Sequence, residues 1–147
     1  MKSLFDPQAQ AEILSRLAAL TPTTQARWGT MDVAQMLAHC GQGLLMPTGE
    51  LPVKAGLPVL FGWMLRRIAT NDVPFRHGVP TARELRIVAP RDFAEAKAHF
   101  MASWPKAIGG PACIRSPKHP FFGNLTGDEW GILMFKHLDH HFRQFGV

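Results

Sequence analysis

The last segment of the chain, "TGDEWGILMFKHLDHHFRQF" at residues 126–145, restricts the fold most. Thr126 with Glu129 three residues on is a capping-box pattern, in which each side chain satisfies the other residue's backbone N–H. Trp130, Leu133, Met134, Leu138 and Phe145 then recur at helical spacing and mark an apolar stripe. A helix with such a stripe has to bury it against other elements.

The rest of the chain reads as more helices. Asp6 suits a cap and Pro7 the first helical position. Ile13, Leu14, Leu17, Ala18 and Leu20 follow as one buried face, ended by "TPTT" at 21–24. A second helix starts after "RWGT", with Thr30 as the predicted N-cap and Asp32 in the first turn. It runs to about Met46 with Val33, Met36, Leu37, Cys40 and Leu44 as its apolar face. Gly41 and Gly43 weaken it by about 1 kcal/mol each relative to alanine. A third helix is expected within 54–70. Residues 71–91 hold Pro74, Gly78, Pro80 and Pro90 and read as a long irregular connection, with "ARELRIVA" a short extended piece or a single turn. Asp92 with Glu95 opens a fourth helix, which Pro105 and "GGP" at 109–111 are expected to stop. "CIRSPKHPFFGNL" then leads into the last helix. Four or five helices, long crossovers and no convincing strand pair predict an all-α, antiparallel four-helix bundle, one domain over 1–147.

Composition narrows the function classes. Hydrophobic residues make up 46% and charged residues 18%, the profile of a globular domain. The net charge is +5, and the surplus sits between Lys54 and Lys118, with eleven Lys/Arg against four Asp/Glu. These cations are broken up by prolines and apolar residues. No stacked-aromatic or helix-turn-helix pattern accompanies them, so no nucleic-acid partner is expected, and a basic rim around a pocket fits better. The N-terminus lacks a signal-peptide core. The most apolar run, "LPVLFGWML" at 57–65, is far short of the ~20 residues that span a bilayer. A cytoplasmic protein with no membrane partner is the expectation. Two cysteines without a CxxC argue against a disulfide framework or a thiolate zinc knuckle.

The histidines carry the chemistry. His137 and His141 fall on the apolar stripe of the last helix at i and i+4, about 5–6 Å apart between Cβ atoms. That spacing lets two imidazoles bind one cation, although the zincin motif is absent because no Glu follows His137. Two buried imidazoles must stay neutral with satisfied nitrogens, and a metal meets both needs. A hydrogen-bonded core pair and a metal-free acid–base role are the alternatives. His39, on the well-patterned second helix, is the leading third ligand. Three histidines with open positions describe a catalytic rather than a structural metal. His140 sits toward the polar side of the wheel, as an alternative ligand or a pocket-rim residue. His119, in "HPFFG", reads as a loop residue that packs or caps, or else contacts substrate or serves as an alternative ligand. His77 and His99 read as surface residues. Gln35, Arg143 and Gln144 are candidates to orient the ligands. Asp139 faces away and suits a solvated role, Cys40 a small core residue, and Trp63 and Trp104 core or pocket-wall aromatics.

"RWGTMDVAQMLAHC", followed about a hundred residues later by "HLDHHFRQF", resembles the DinB/YfiT-like metalloenzyme superfamily. "HPFFGNLTGDEWG" leading into "KHLDHHFRQFGV" is similar to a bacterial branch known only as a domain of unknown function. The resemblance covers most of the chain and implies a four-helix bundle with a three-histidine divalent metal site, often in homodimers. It places the first ligand at His39 and the others at His137 and His141, with Gln144 three residues beyond. His140 and the Phe142-Arg143 pair depart from the commoner H-R-G-Q ending. Characterised members imply metal-dependent thiol transfer or mycothiol-dependent maleylpyruvate isomerisation. The expectation is therefore an enzyme with Zn²⁺ or Ni²⁺ that activates a low-molecular-weight thiol or water against a small-molecule substrate. A non-catalytic metal- or ligand-binding bundle, such as a dimeric stress protein, is the alternative.

Overall fold

The computed structural model describes residues 1–54 and 62–147, and only the backbone of residues 62–64. The expected beginning of the third helix at 55–61 and the side chain of Trp63 lie outside the described residues. Helices dominate: α1 (Pro7–Ala19), α2 (Val33–Leu45), α3 (Gly62–Thr70), α4 (Phe93–Ala107) and α5 (Gly127–Gln144). Single 3₁₀ turns occupy Arg83–Leu85 and Pro111–Cys113. The all-α expectation holds at the level of class. One addition is a two-residue antiparallel ladder, β1 (Lys118–His119) with β2 (Gly123–Asn124), which closes the turn around Pro120–Phe122.

α5 is in contact with α1, α2 and α3. Its apolar stripe is buried as expected, but Gly131, Phe135 and Phe142 on other faces are buried too. α2 packs against both α4 and α5, while α1 and α3 pack on α5. The reciprocal Thr126–Glu129 capping box is formed, and Arg66 of α3 clamps the same carboxylate through two hydrogen bonds of 2.6 Å. Further along α5, Arg16 of α1 reaches the Asp139 carboxylate at 2.8 Å and the Val147 carbonyl at 2.9 Å. Asp139 is therefore half-buried in an interhelical ion pair rather than simply solvated.

Three local expectations are corrected. The N-cap of α2 is Asp32, not Thr30, because Gln35 stands three residues after Asp32 and completes a reciprocal capping box. Pro105 does not stop α4. It removes one backbone donor, but Trp104 and Ala107 on either side of it are buried, and that packing carries the helix to Ala107. Ala18 is exposed, and Ala9 joins Ile13 and Leu17 on the buried face of α1. No helix among the described residues is long and apolar enough to cross a membrane.

Candidate metal centre

α2 and α5 bring His39, His137 and His141 together from opposite ends of the sequence. Their ring centroids are 4.7–5.0 Å apart in all three pairs. One nitrogen from each ring lies within 4.8 Å of the other two. Nitrogens sharing one zinc are separated by at most roughly 4 Å, twice the bond length, so the triangle is less than about 1 Å wider than a bound geometry.

The hydrogen bonds fix which nitrogens face inward. His39 Nδ1 lies 2.8 Å from the Leu85 carbonyl oxygen. A carbonyl only accepts, so Nδ1 carries the proton and Nε2 keeps its lone pair. Gln144 Nε2 donates to the Trp28 carbonyl at 2.7 Å, which turns Oε1 toward His141 Nδ1 at 2.8 Å. His141 Nδ1 therefore donates, and its Nε2 is also left as a lone pair. His39 Nε2 lies 2.9 Å from His137 Nε2, so the His137 proton bridges the two rings in the protein alone. His39 and His141 thus hold the tautomer that metal-binding imidazoles need, imposed by the Leu85 carbonyl and by Gln144, and the His137 proton is the one a metal would displace. The donor chemistry thus fits a divalent first-row ion.

Burial supports the neutral forms. It lowers the pKa of His39 and, helped by the neighbouring rings, takes His137 well below the ordinary histidine range. Burial, reinforced by His39, pushes His141 down to about 3 against the raising effect of its bond to Gln144. Glycine makes room for the cluster. A Cβ at Gly43 would stand 3.0 Å from His137 Cε1, and one at Gly29 would stand 2.5 Å from Gln144 Nε2. Gly29 has φ +83°, a left-handed conformation that other residues seldom adopt.

The remaining candidates separate. His140 is half-buried, 5.1 Å from the His141 ring and about 6 Å from the rings of Trp28, Phe75 and His77, and it is not one of the three residues whose nitrogens converge. His77, although exposed, stacks on Trp28 at 4.0 Å. His119 is buried, and its Nδ1 accepts the backbone N–H groups of Phe121 and Phe122 at 3.1 and 3.3 Å, a turn-capping role. Gln35 does not orient the histidines: its amide closes the α2 capping box and donates to the Val88 carbonyl at 3.1 Å. Arg143 does not either, since it points outward and pairs loosely with Asp139 at 3.4 Å. Cys40 is sealed against Met36, and burial pushes its thiol far above the ordinary range. Exposed His99 lies against Gly41, away from the triangle.

Sequence reasoning missed the Leu85 and Trp28 carbonyls, which carry no side-chain signal. It noted Gly43 only as a weak point of its helix. A glycine one turn after His39 on the same helix face was the available clue.

The three rings open onto a cavity of about 590 Å³, within the size range of small-molecule sites. Its wall includes Trp28, Leu85, Phe121, Phe122, Leu133 and Met134. The fold and site together define a helical protein with a buried three-histidine cluster at the base of a largely apolar cavity. The chain belongs to a family described as a protein of unknown function, DUF1569, whose match covers residues 3–146. No curated protein and no solved structure matches it.

Proposed function

We propose that this protein is a metal-dependent enzyme of the DinB/YfiT-like kind, a four-helix bundle in which His39, His137 and His141 hold one divalent ion. The observation that carries this reading is the locked tautomer pair: His39 and His141 are both fixed by outer acceptors so that bare Nε2 lone pairs converge. The packing of α2 on α4 and α5, with α1 also on α5, supports the bundle.

Zn²⁺ or Ni²⁺ held there supplies Lewis acidity that lowers the pKa of a thiol or water at an open position. The protein's own groups set the conditions. The Leu85 carbonyl and Gln144 keep two rings aimed and unprotonated at Nε2. The apolar wall excludes bulk water, which strengthens charge interactions inside. His140 stands beside His141 at the cavity side, placed to contact a bound substrate. Transfer of a low-molecular-weight thiol to a small electrophile is the reaction class, with hydrolysis as its water-using counterpart.

Metal analysis of untagged protein is expected to find about one ion per chain. His39→Ala and His141→Ala should each lose it. A model electrophile should be consumed with one of a panel of cellular thiols, and chelator should abolish turnover. Wild-type protein that arrives without metal and takes up neither zinc nor nickel would falsify the reading.

A further inference from the structure

The charge pattern of the cavity narrows what can enter it. Among the described residues that line it there is no Asp or Glu, and Arg86 is the one formally charged side chain. Residues 55–64 contain no charged residue in the sequence, so that stretch cannot alter the balance. An ammonium group entering this space would lose its hydration with no carboxylate to replace it. An anion meets the opposite situation.

Arg86 is not placed at random. The 3₁₀ turn Arg83–Leu85 presents the Leu85 carbonyl to His39 Nδ1, and Arg86 is the next residue, about 3.8 Å further along the backbone. The turn that aims His39 is therefore followed directly by Arg86, an exposed residue of the cavity lining. A guanidinium matches the two oxygens of a carboxylate through parallel hydrogen bonds. Beside the hydroxyls of exposed Thr30 and Thr81, the cavity opening carries apolar side chains. Val79 and Val88, exposed by 56% and 77%, both line it, and Ile87, Phe121 and Phe122 continue that surface inward. A single exposed valine is ordinary, but two at one opening extend the apolar wall outward.

We propose that the cavity takes an amphiphilic monocarboxylate, its apolar body along Val79, Ile87, Phe121 and Phe122 and its carboxylate on Arg86. This rests on the three histidines being the reactive centre, and it names the class of molecule brought to them. One guanidinium suits one monoanionic head. A dianionic phosphate would call for more donors than this rim provides.

The test uses full-length, chelator-treated protein and three probes of one shape: phenylbutyrate, its primary amide and phenylbutylamine. Binding is read from the fluorescence of Trp28 and Trp130, which line the cavity, and checked by calorimetry. Phenylbutyrate should bind about tenfold more tightly than the amine, the ratio a single favourable charge contact gives. Arg86→Met should bring phenylbutyrate down to the level of the amide and leave the amide unchanged, and Arg86→Lys should retain part of the preference. Equal or tighter binding of the amine, no response to Arg86→Met, or no binding of any probe overturns the proposal. Zinc uptake measured on the same preparation separates the two ideas. Carboxylate preference without zinc uptake ends only the metal reading, and zinc uptake without that preference ends only this one.

Discussion

The amide of Gln144 is bonded at both ends, to His141 Nδ1 and to the Trp28 carbonyl. Its oxygen orients a proposed ligand and its nitrogen ties α5 to the segment before α2. Gln144→Ala removes both bonds and leaves a buried donor and a carbonyl unsatisfied. Zinc affinity should fall about 10- to 100-fold, the usual effect of losing an outer partner of a metal-bound histidine. Unfolding free energy of the metal-free protein should drop by about 1–3 kcal/mol. Competition with a chromophoric chelator and denaturant titration read these separately, and unchanged zinc affinity would mean that Gln144 does not orient His141. At this scale much was legible in the sequence. His137 and His141 announce themselves as polar residues one turn apart on an apolar stripe, and His39 as the histidine on another apolar helix. The Leu85 carbonyl was not legible, because a backbone acceptor has no residue type and its position depends on how a proline-broken connection folds.

Glycines of α2 decide how closely its neighbours approach. Gly43 faces His137, whereas a Cβ at Gly41 would meet His99 Cδ2 at 2.7 Å and the Phe100 backbone at 3.3 Å. Alanine at either position gains about 1 kcal/mol in helix propensity. Gly43→Ala sets that gain against a shift of the His137 ring by a few tenths of an ångström. It should therefore weaken zinc binding while leaving metal-free stability within about 1 kcal/mol of wild type. Gly41→Ala presses on α4 instead, so it should lower thermal stability and leave zinc affinity alone. Zinc titrations and melting curves of the two variants would show this crossed pattern, and identical behaviour would refute it. The helix starts were legible because capping signals are short and local, as at Asp92, whose carboxylate accepts the Glu95 N–H, and at the full box of Thr126. The Asp32 cap was legible too, had Gln35 been weighed with it. The passage of α4 through Pro105 was not, because burial of Trp104 and Ala107 is a tertiary property that overrides a local breaker.

For the whole molecule, burying neutral histidines makes folding depend on pH. His119 is driven down to about 3 by burial. Its Nδ1 also accepts two backbone N–H groups, so protonation there would break the turn it caps. His141 is likewise held to about 3. In the unfolded chain both titrate near the ordinary value of about 6.5. Above that pH neither state binds these protons, and the contribution to stability is constant. As pH falls below it, the unfolded chain takes up protons that the folded protein refuses. Stability is then lost across the window from about 6.5 toward 3, by up to about 1.4 kcal/mol per pH unit for each such histidine. Denaturant unfolding of metal-free protein at neutral pH and near pH 5 should show this fall. His119→Asn keeps an acceptor for the turn but removes one titration, so it should start less stable at neutral pH, having lost its ring stacking, and decline less steeply. Zinc-loaded protein should fall more steeply than metal-free protein, because protons and metal compete for the same nitrogens. A metal-free stability that stays flat between neutral pH and about pH 5 would mean these imidazoles are not buried as neutral groups, and the case for converging lone pairs would go with it.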